Sequence, residues 1–205
     1  MLQLYRAPFS TNVERVALAL AHKGVSVESV VIDYADRSPV YAVSGQSLVP
    51  VLVDGGHVIV DSAAILRYVE EKWPEPPLFP RTPAARAEMD VFIEWFNEVW
   101  KVPPNAIEAE LANPLPDPSR VVELSARMRR WLDLFETLLD GRDHLLSNEF
   151  SAADCIAFPF LKFATMRDPR DDEPFHIILE THQPLGDRHP RLAAWIERVN
   201  ARPRA

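Results

Sequence analysis

Five prolines lie within ten residues, a little more than a third of the way along the chain: Pro74, Pro76, Pro77, Pro80 and Pro83. Proline has no backbone N–H and a fixed φ, so this stretch can continue neither a helix nor a central strand. A chain of 205 residues is long enough to bury one large core or two smaller ones. The sequence therefore predicts a domain boundary here, with one domain over residues 1–80 and another over 86–205.

Before this boundary, strand and helix patterns alternate. Apolar runs at Leu2–Tyr5, Val25–Ile32, Val49–Val53 and His57–Val60 predict strands, and the last two flank the glycine-bearing turn of a hairpin. Apolar positions at helical spacing follow Ser10 and again follow Asp61-Ser62. The order β-α-β and then β-β-α predicts a small mixed sheet with helices packed on it.

After the boundary, every strong pattern is helical. The segments 86–101, 119–140 and 190–201 each carry apolar residues three and four positions apart. Ser151 and Asp154, just before another apolar run, have the spacing of a capping box with Asp in place of the usual Glu. We predict an all-helical second domain, with a solvated loop at the charged run 167–173. The aromatic residues Trp95, Phe96 and Trp100 are either core or the lining of a ligand pocket.

Charge and cysteine content exclude several classes of function. The chain has 22 Lys+Arg against 30 Asp+Glu, a formal charge of −8, which argues against nucleic acid or an anionic membrane as the main partner. Cys155 is the only cysteine, so there is no intrachain disulfide and no cysteine-rich zinc site, and we expect a buried, inert thiol. Six scattered histidines give no metal-binding motif. Without an evident signal peptide or a long apolar run, the expected location is the cytoplasm.

Three segments of the first domain are candidates for one binding site. At Val49-Pro50, a cis peptide bond would leave the backbone of Val49 available to an extended ligand; an ordinary trans proline at a strand start is the alternative. At Asp61-Ser62, a helix N-terminus and a hydroxyl suit a carboxylate, while the Asp side chain suits an ammonium group. A plain helix cap is the alternative there.

The third segment is the loop before the first predicted helix, which contains Ser10, Thr11 and Asn12. A hydroxyl at a helix N-terminus can donate to an anion, and the helix dipole favours negative charge. A thiol bound there would have a lowered pKa and would be a better nucleophile at neutral pH. Helix capping is again the alternative.

Six short segments taken together resemble the glutathione S-transferase family. They are Arg15–Gly24, Leu48-Val49-Pro50-Val51-Leu52, Asp61–Tyr68, Pro76–Pro80, and in the second domain Ser151–Asp154 with His189–Trp195. The resemblance covers essentially the whole chain in the family's order. It implies a thioredoxin-like α/β N-terminal domain and an all-α C-terminal helical bundle that lines the pocket for an electrophile.

The resemblance also implies roles for the site residues. Val49, before a cis Pro50, would pair its backbone with the cysteinyl part of glutathione, and Asp61 and Ser62 would bind the γ-glutamyl end. Ser10 would stabilise the glutathione thiolate, with Thr11 as the nearest substitute and Asn12 as a further polar contact. Tyr5 is the rival for the thiolate, because tyrosine-type members place their phenol near the end of this strand. Ser151 and Asp154 match a folding motif of the family.

This sequence departs from the family pattern in two places. The position just before Val49 often carries a basic or amide residue that contacts the glycyl carboxylate, whereas here it is Leu48, and Gln46 or Ser47 would have to substitute. The first loop has no cysteine, so a mixed-disulfide mechanism is not expected.

The function implied is a glutathione transferase of the serine type, acting in detoxification. Glutathione would be the co-substrate, no metal is needed, the second substrate would be a small apolar electrophile, and the protein would be a homodimer. Two alternatives remain open: a non-catalytic binding or interaction protein on the same fold, and a glutathione-dependent dehalogenase, isomerase or ether-cleaving enzyme.

Overall fold

The computed structural model describes all 205 residues, which form two compact units. The first comprises Met1–Arg81 together with Arg202–Ala205, and the second comprises Thr82–Ala201.

The last four residues therefore group with the first unit, whereas the sequence-based division assigned them to the second. The physical reason is a set of contacts with the first predicted helix. The N–H of Ala205 donates to the carbonyl of Ala17 at 3.1 Å, and Arg204 forms an ion pair of 2.9 Å with Glu14.

The first unit is a four-stranded mixed sheet with three helices. Its elements are β1 (Leu2–Arg6), α1 (Thr11–His22), β2 (Glu28–Val31), α2 (Ser38–Ser44), β3 (Val51–Asp54), β4 (His57–Val60) and α3 (Ser62–Lys72). The strand order is β2-β1-β3-β4, with β1 parallel to β2 and the other pairs antiparallel. This confirms the predicted thioredoxin-like fold.

The two faces of the sheet are buried by different helices. Tyr5 and Val51 are opposite each other on β1 and β3 and pack with Val40 of α2. Leu4 and Leu52, the next pair in the register, point to the other face and are fully buried. Because α1 and α3 are the remaining helices of this unit, they cover that face.

Helix α2 was not predicted from the sequence. It is seven residues long, and Val40 is its only buried residue. Its Val and Ser residues have low helix propensity, so the helix depends on packing against the sheet rather than on local preference.

The second unit is entirely helical. Its elements are α4 (Pro83–Trp95), a π-helical segment (Phe96–Trp100), α5 (Val102–Leu111), α6 (Pro118–Leu138), α7 (Ala152–Leu161), a short 3-10 segment (Lys162–Ala164), α8 (Pro174–His182) and α9 (Pro190–Asn200). This confirms the all-α second domain. None of the helices is both long enough and apolar enough to cross a membrane.

The aromatic residues of α4 and the π-helical segment are largely core. Phe96 and Trp100 are buried and stack with ring centroids 4.4 Å apart. Trp95 is half-buried and meets Trp131 of α6 edge-on at 5.7 Å. For Phe96 and Trp100, the structure therefore supports the core interpretation.

The charged run 167–173 is a loop, as predicted, but it is not uniformly solvated. Asp171 is buried, and its carboxylate lies 2.8 Å from Nδ1 of His176 on α8. Helix α8 was not predicted from the sequence either. The contact between His176 and Asp171 ties its start to the preceding loop, and this contact has no signature in the apolar pattern.

The predicted capping box at the start of α7 is confirmed. The backbone N–H of Ser151 donates to Oδ2 of Asp154 at 2.8 Å. The next residue, Cys155, is fully buried, as expected, and forms no disulfide.

Candidate functional site

Ser10 is the N-cap of α1. Its Oγ accepts a hydrogen bond from the N–H of Val13 at 3.4 Å, so the capping alternative is what the structure shows. Capping uses only one of the two lone pairs of the hydroxyl, however, and the proton remains available to donate to an anion. Ser10 is half-buried, Thr11 is buried at the first helical position, and Asn12 is half-buried beside it.

Asp61 is the N-cap of α3, with Oδ1 accepting from the N–H of Ala64 at 2.9 Å. Ser62 is the first residue of the helix and is 4% exposed. The remaining N–H groups of this first turn and the helix dipole favour a negatively charged ligand group. The exposed Asp61 carboxylate supplies the opposite charge beside it.

Each of these serines follows a residue with a backbone conformation that side chains rarely adopt. Phe9, before Ser10, has φ +58°, and Asp61, before Ser62, has φ +70°. Positive φ at a non-glycine residue is energetically unfavourable and concentrates at functional sites. At α1 the positive φ belongs to the residue before the N-cap Ser10, whereas at α3 it belongs to the N-cap Asp61 itself.

A buried hydrogen bond joins these two helices. Nη1 of Arg15 on α1 donates to Oγ of Ser62 at 3.1 Å, and both side chains are buried. Arg15 was not identified as a site residue from its sequence position. A helical pattern that places an arginine among Val13, Val16 and Ala17 on a buried face would have been the only indication.

The third predicted segment has the expected backbone. The Val49–Pro50 bond is cis, and Pro50 is buried at the start of β3. Neither the N–H nor the C=O of Val49 makes a hydrogen bond within the protein. Val49 therefore has a free donor and a free acceptor with which an extended ligand can pair as a strand does.

The residues before Val49 form hydrogen bonds with one another. The side-chain amide of Gln46 donates to the carbonyl of Leu48 at 2.8 Å and accepts from the N–H of Leu48. The other Gln46 donor contact is with Oγ of Ser44 at 3.2 Å. Leu48 itself is 71% exposed, so it offers a ligand only an apolar side chain.

Arg37 is a basic residue near this segment that sequence reasoning missed. Its guanidinium lies 4.6 Å from the ring centroid of Tyr34 and donates to the carbonyl of Ser47 at 3.3 Å. The hydroxyl of Tyr34 in turn donates to the carbonyl of Pro8 at 2.9 Å, in the loop that leads to Ser10. Arg37 is ten residues before Ser47 in the chain, and only the fold brings it close to the segment before Val49.

Tyr5, the rival for the thiol-binding role, is part of the sheet packing. It lies on β1 opposite Val51 and packs against the cluster that contains Ala7, Ile32 and Val40. Nowhere in the structure do three or more His, Cys, Asp or Glu side chains converge as metal ligands would.

Comparisons with known proteins agree over most of the chain. The family model for the glutathione S-transferase N-terminal domain matches residues 4–77, and the one for the C-terminal domain matches residues 105–198. Glutathione S-transferase 3 of Zea mays is 32% identical over 98% of this chain and 90% of its own length. FtsZ-localized protein A of Caulobacter vibrioides is 30% identical over 75% of this chain and 73% of its own length.

Among solved structures, a glutathione S-transferase from Rhodospirillum rubrum superimposes with a TM-score of 0.74 at 26% identity. The match covers 99% of this chain and 89% of that one. Because the two family models together match most of the chain and the maize relative is 32% identical over 98% of it, the chain belongs to the glutathione S-transferase family.

Proposed function

We propose that this protein is a glutathione transferase that joins the thiolate of glutathione to an apolar electrophile, with Ser10 stabilising the thiolate. The observation that carries the proposal is the state of the Ser10 hydroxyl. It caps α1 by accepting from Val13, and so it keeps its proton for an anion at the N-terminus of that helix.

The remainder of glutathione fits the other two segments. The free N–H and C=O of Val49 suit the backbone of the cysteinyl residue. The N-terminus of α3 with the Ser62 hydroxyl suits the γ-glutamyl carboxylate, and the Asp61 carboxylate suits the γ-glutamyl ammonium group. Asn12 is proposed as a further polar contact and Thr11 as the substitute for Ser10.

For the glycyl carboxylate of glutathione, the contacts within the protein favour a residue other than Gln46 or Ser47. Gln46 is engaged with the backbone of Leu48 and with Ser44, so Leu48 contributes only apolar contact. Arg37 is the cation near this segment, and we propose it as the partner of the glycyl carboxylate.

In the proposed reaction, a hydrogen bond from Ser10 and the dipole of α1 stabilise the thiolate over the thiol, which lowers the thiol pKa. The sulfur lone pair then forms the S–C bond with the electrophile, and the leaving group departs with its electron pair. Catalysis comes from the lowered pKa and from positioning, so it needs no residue that forms a covalent intermediate.

The test is the pH dependence of conjugation of glutathione to chlorodinitrobenzene. Ser10→Ala should raise the apparent pKa of kcat/KM by about one to two units, the equivalent of losing one hydrogen bond to a charged group. Tyr5→Phe should leave the profile unchanged. If Ser10→Ala leaves both rate and profile unchanged and Thr11→Val changes them, the thiolate partner is Thr11 rather than Ser10.

A second candidate function is a glutathione-binding or interaction protein without transferase activity. The relative from Caulobacter vibrioides is named for its localisation with FtsZ rather than for a reaction, and it shares 30% identity with this chain. An activity assay beside calorimetry separates the candidates: a transferase binds glutathione and turns over electrophiles, whereas a binding or interaction protein lacks turnover at every pH, whether or not calorimetry detects glutathione.

The proposal also includes a homodimer, a cytoplasmic location and a role in detoxification, as the family resemblance implies. Light scattering on the purified protein gives the mass in solution, and a single-chain mass of 23.3 kDa would contradict the dimer.

A further inference from the structure

Arg15 is fully buried at the start of the second turn of α1, the helix that begins at Ser10. Its Nη1 donates to Oγ of Ser62, which lies 47 positions later on α3, at 3.1 Å. This contact joins the helix proposed to hold the thiolate to the helix proposed to hold the γ-glutamyl carboxylate.

The contact determines what the Ser62 hydroxyl can do. A guanidinium has only donors, so Ser62 accepts from Arg15 and cannot donate to it. The hydroxyl proton must therefore point away from Arg15, towards another acceptor. A carboxylate at the N-terminus of α3 is such an acceptor, and the donated bond is strengthened because a cation polarises the serine oxygen.

We propose that Arg15 is the positioning residue of the γ-glutamyl subsite: its bond to Ser62 orients the serine hydroxyl towards the ligand carboxylate. This inference rests on the proposed function, because it takes Ser62 as the donor to that carboxylate. Arg15 acts through Ser62 and does not touch the ligand itself.

The planar guanidinium is essential to this role. Lysine at position 15 retains a positive charge, but its flexible ammonium group does not reproduce the fixed direction of the Nη1 donor. The comparison of Arg15→Lys with the wild type therefore separates orientation of the hydroxyl from the mere presence of charge.

The experiment measures binding of two thiol-blocked ligands by calorimetry. One is S-methylglutathione, and the other is the same molecule with the γ-glutamyl α-carboxylate converted to a carboxamide. We expect the wild type to prefer the carboxylate by about tenfold or more, as a charge-assisted hydrogen bond in a buried site allows. Ser62→Ala should lose most of this preference, and Arg15→Lys should lose a similar part.

The double variant makes the test specific. If Arg15 acts through Ser62, adding Arg15→Lys to Ser62→Ala should leave the preference where Ser62→Ala alone puts it. Additive losses, or a preference retained in Arg15→Lys, would overturn the positioning role. Arg67→Lys, an exposed change on the same helix as Ser62, is the matched control and should keep the full preference.

A measurement on the wild type covers the case in which Arg15→Lys does not fold. The buried Arg15 N–H protons should exchange slowly, and their NMR signal should shift when S-methylglutathione binds but shift less with the carboxamide. An equal shift, or none, with both bound ligands would overturn the proposal. If the wild type binds neither ligand, the proposed function fails as well, which distinguishes that outcome from failure of Arg15 alone.

Discussion

The indole N–H of Trp195 on α9 donates to Oδ1 of Asp154 on α7 at 2.7 Å, with both side chains fully buried. The same carboxylate accepts from the N–H of Leu145 at 3.0 Å and from the N–H of Ser151 at 2.8 Å. One buried aspartate thus satisfies donors from a loop, a helix cap and a second helix.

Loss of this carboxylate should strongly destabilise the second unit. We expect Asp154→Ala to lower the free energy of unfolding by about 3–5 kcal/mol, because several buried donors lose their acceptor at once. Urea denaturation followed by tryptophan fluorescence measures the change. Asp143→Ala, at an exposed ion pair of the preceding loop, is the control and should change stability by less than about 1 kcal/mol; similar losses in the two variants would contradict the central role of Asp154.

Asp61 allows helix capping to be separated from ligand binding. Asp61→Asn keeps an oxygen for the N–H of Ala64 and tolerates the positive φ, so its stability should stay close to that of the wild type. Asp61→Ala should lose about 1 kcal/mol from the missing cap, together with the added cost of alanine at this φ. Both variants should weaken glutathione binding in calorimetry, because neither offers a carboxylate to the ammonium group. Unchanged binding by Asp61→Asn would exclude that contact.

The stability of the first unit should depend on pH through His22. Burial lowers the pKa of His22, and the nearby charges of Arg202 and Lys23 lower the pKa further against the opposing effect of its bond to the carbonyl of Pro77. Since Arg202 only donates, Nδ1 of His22 accepts from it at 3.1 Å, and Nε2 carries the proton that is donated to Pro77.

Because the pKa is lower in the folded state than its ordinary value of 6.5, the unfolded chain binds more protons below that pH. Stability should therefore be highest above pH 6.5 and should fall as the pH decreases from 6.5 towards the lower folded pKa, below which this contribution changes no further. His22→Gln should show a smaller loss between pH 7.5 and pH 5.5 in urea titrations, whereas His57→Gln, on the exposed hairpin, should match the wild type. Burial also lowers the pKa of His182, so the difference between variants, rather than the wild-type curve, isolates His22.

A cysteine probe can test the N-terminus of α1 without any ligand. In a Cys155→Ala background, Ser10→Cys places a thiol at the helix cap, where we expect its pKa to fall below about 8.5, the ordinary cysteine value. Ser26→Cys, in the exposed loop before β2, is the control and should titrate near that value. Ultraviolet absorbance of the thiolate against pH gives both values. Equal pKa values would show that the helix N-terminus does not favour an anion at Ser10.

The buried thiol makes a separate prediction. Cys155 should react with dithionitrobenzoate in denaturant but not in the native protein, because its side chain is fully buried. Rapid labelling of the native protein would contradict that burial.

The sequence alone determined those elements whose formation depends on residues close together in the chain. Ser10, Asp61 and the Ser151–Asp154 pair begin helices because a capping side chain reaches N–H groups two or three residues away. The proline-rich stretch excludes regular structure for an equally local reason, which is the missing N–H. Helices α2, α5 and α8 lay outside the predicted segments. Packing of Val40 against the sheet stabilises α2, and the contact of His176 with Asp171 ties the start of α8 to the preceding loop.

Only the tertiary structure decided which of these local features meet. Arg15 and Ser62 are separated by 47 positions, and Asp154 and Trp195 by 41, so no local pattern relates them. Arg37 lies at the N-terminal end of α2 and reaches Ser47, which follows the other end of that helix, a contact that no sequence pattern indicates. Such contacts depend on how the helices pack on the sheet and on each other. Packing decides which groups become buried, and each buried polar group then needs a hydrogen-bond partner, because a buried polar group without one costs free energy.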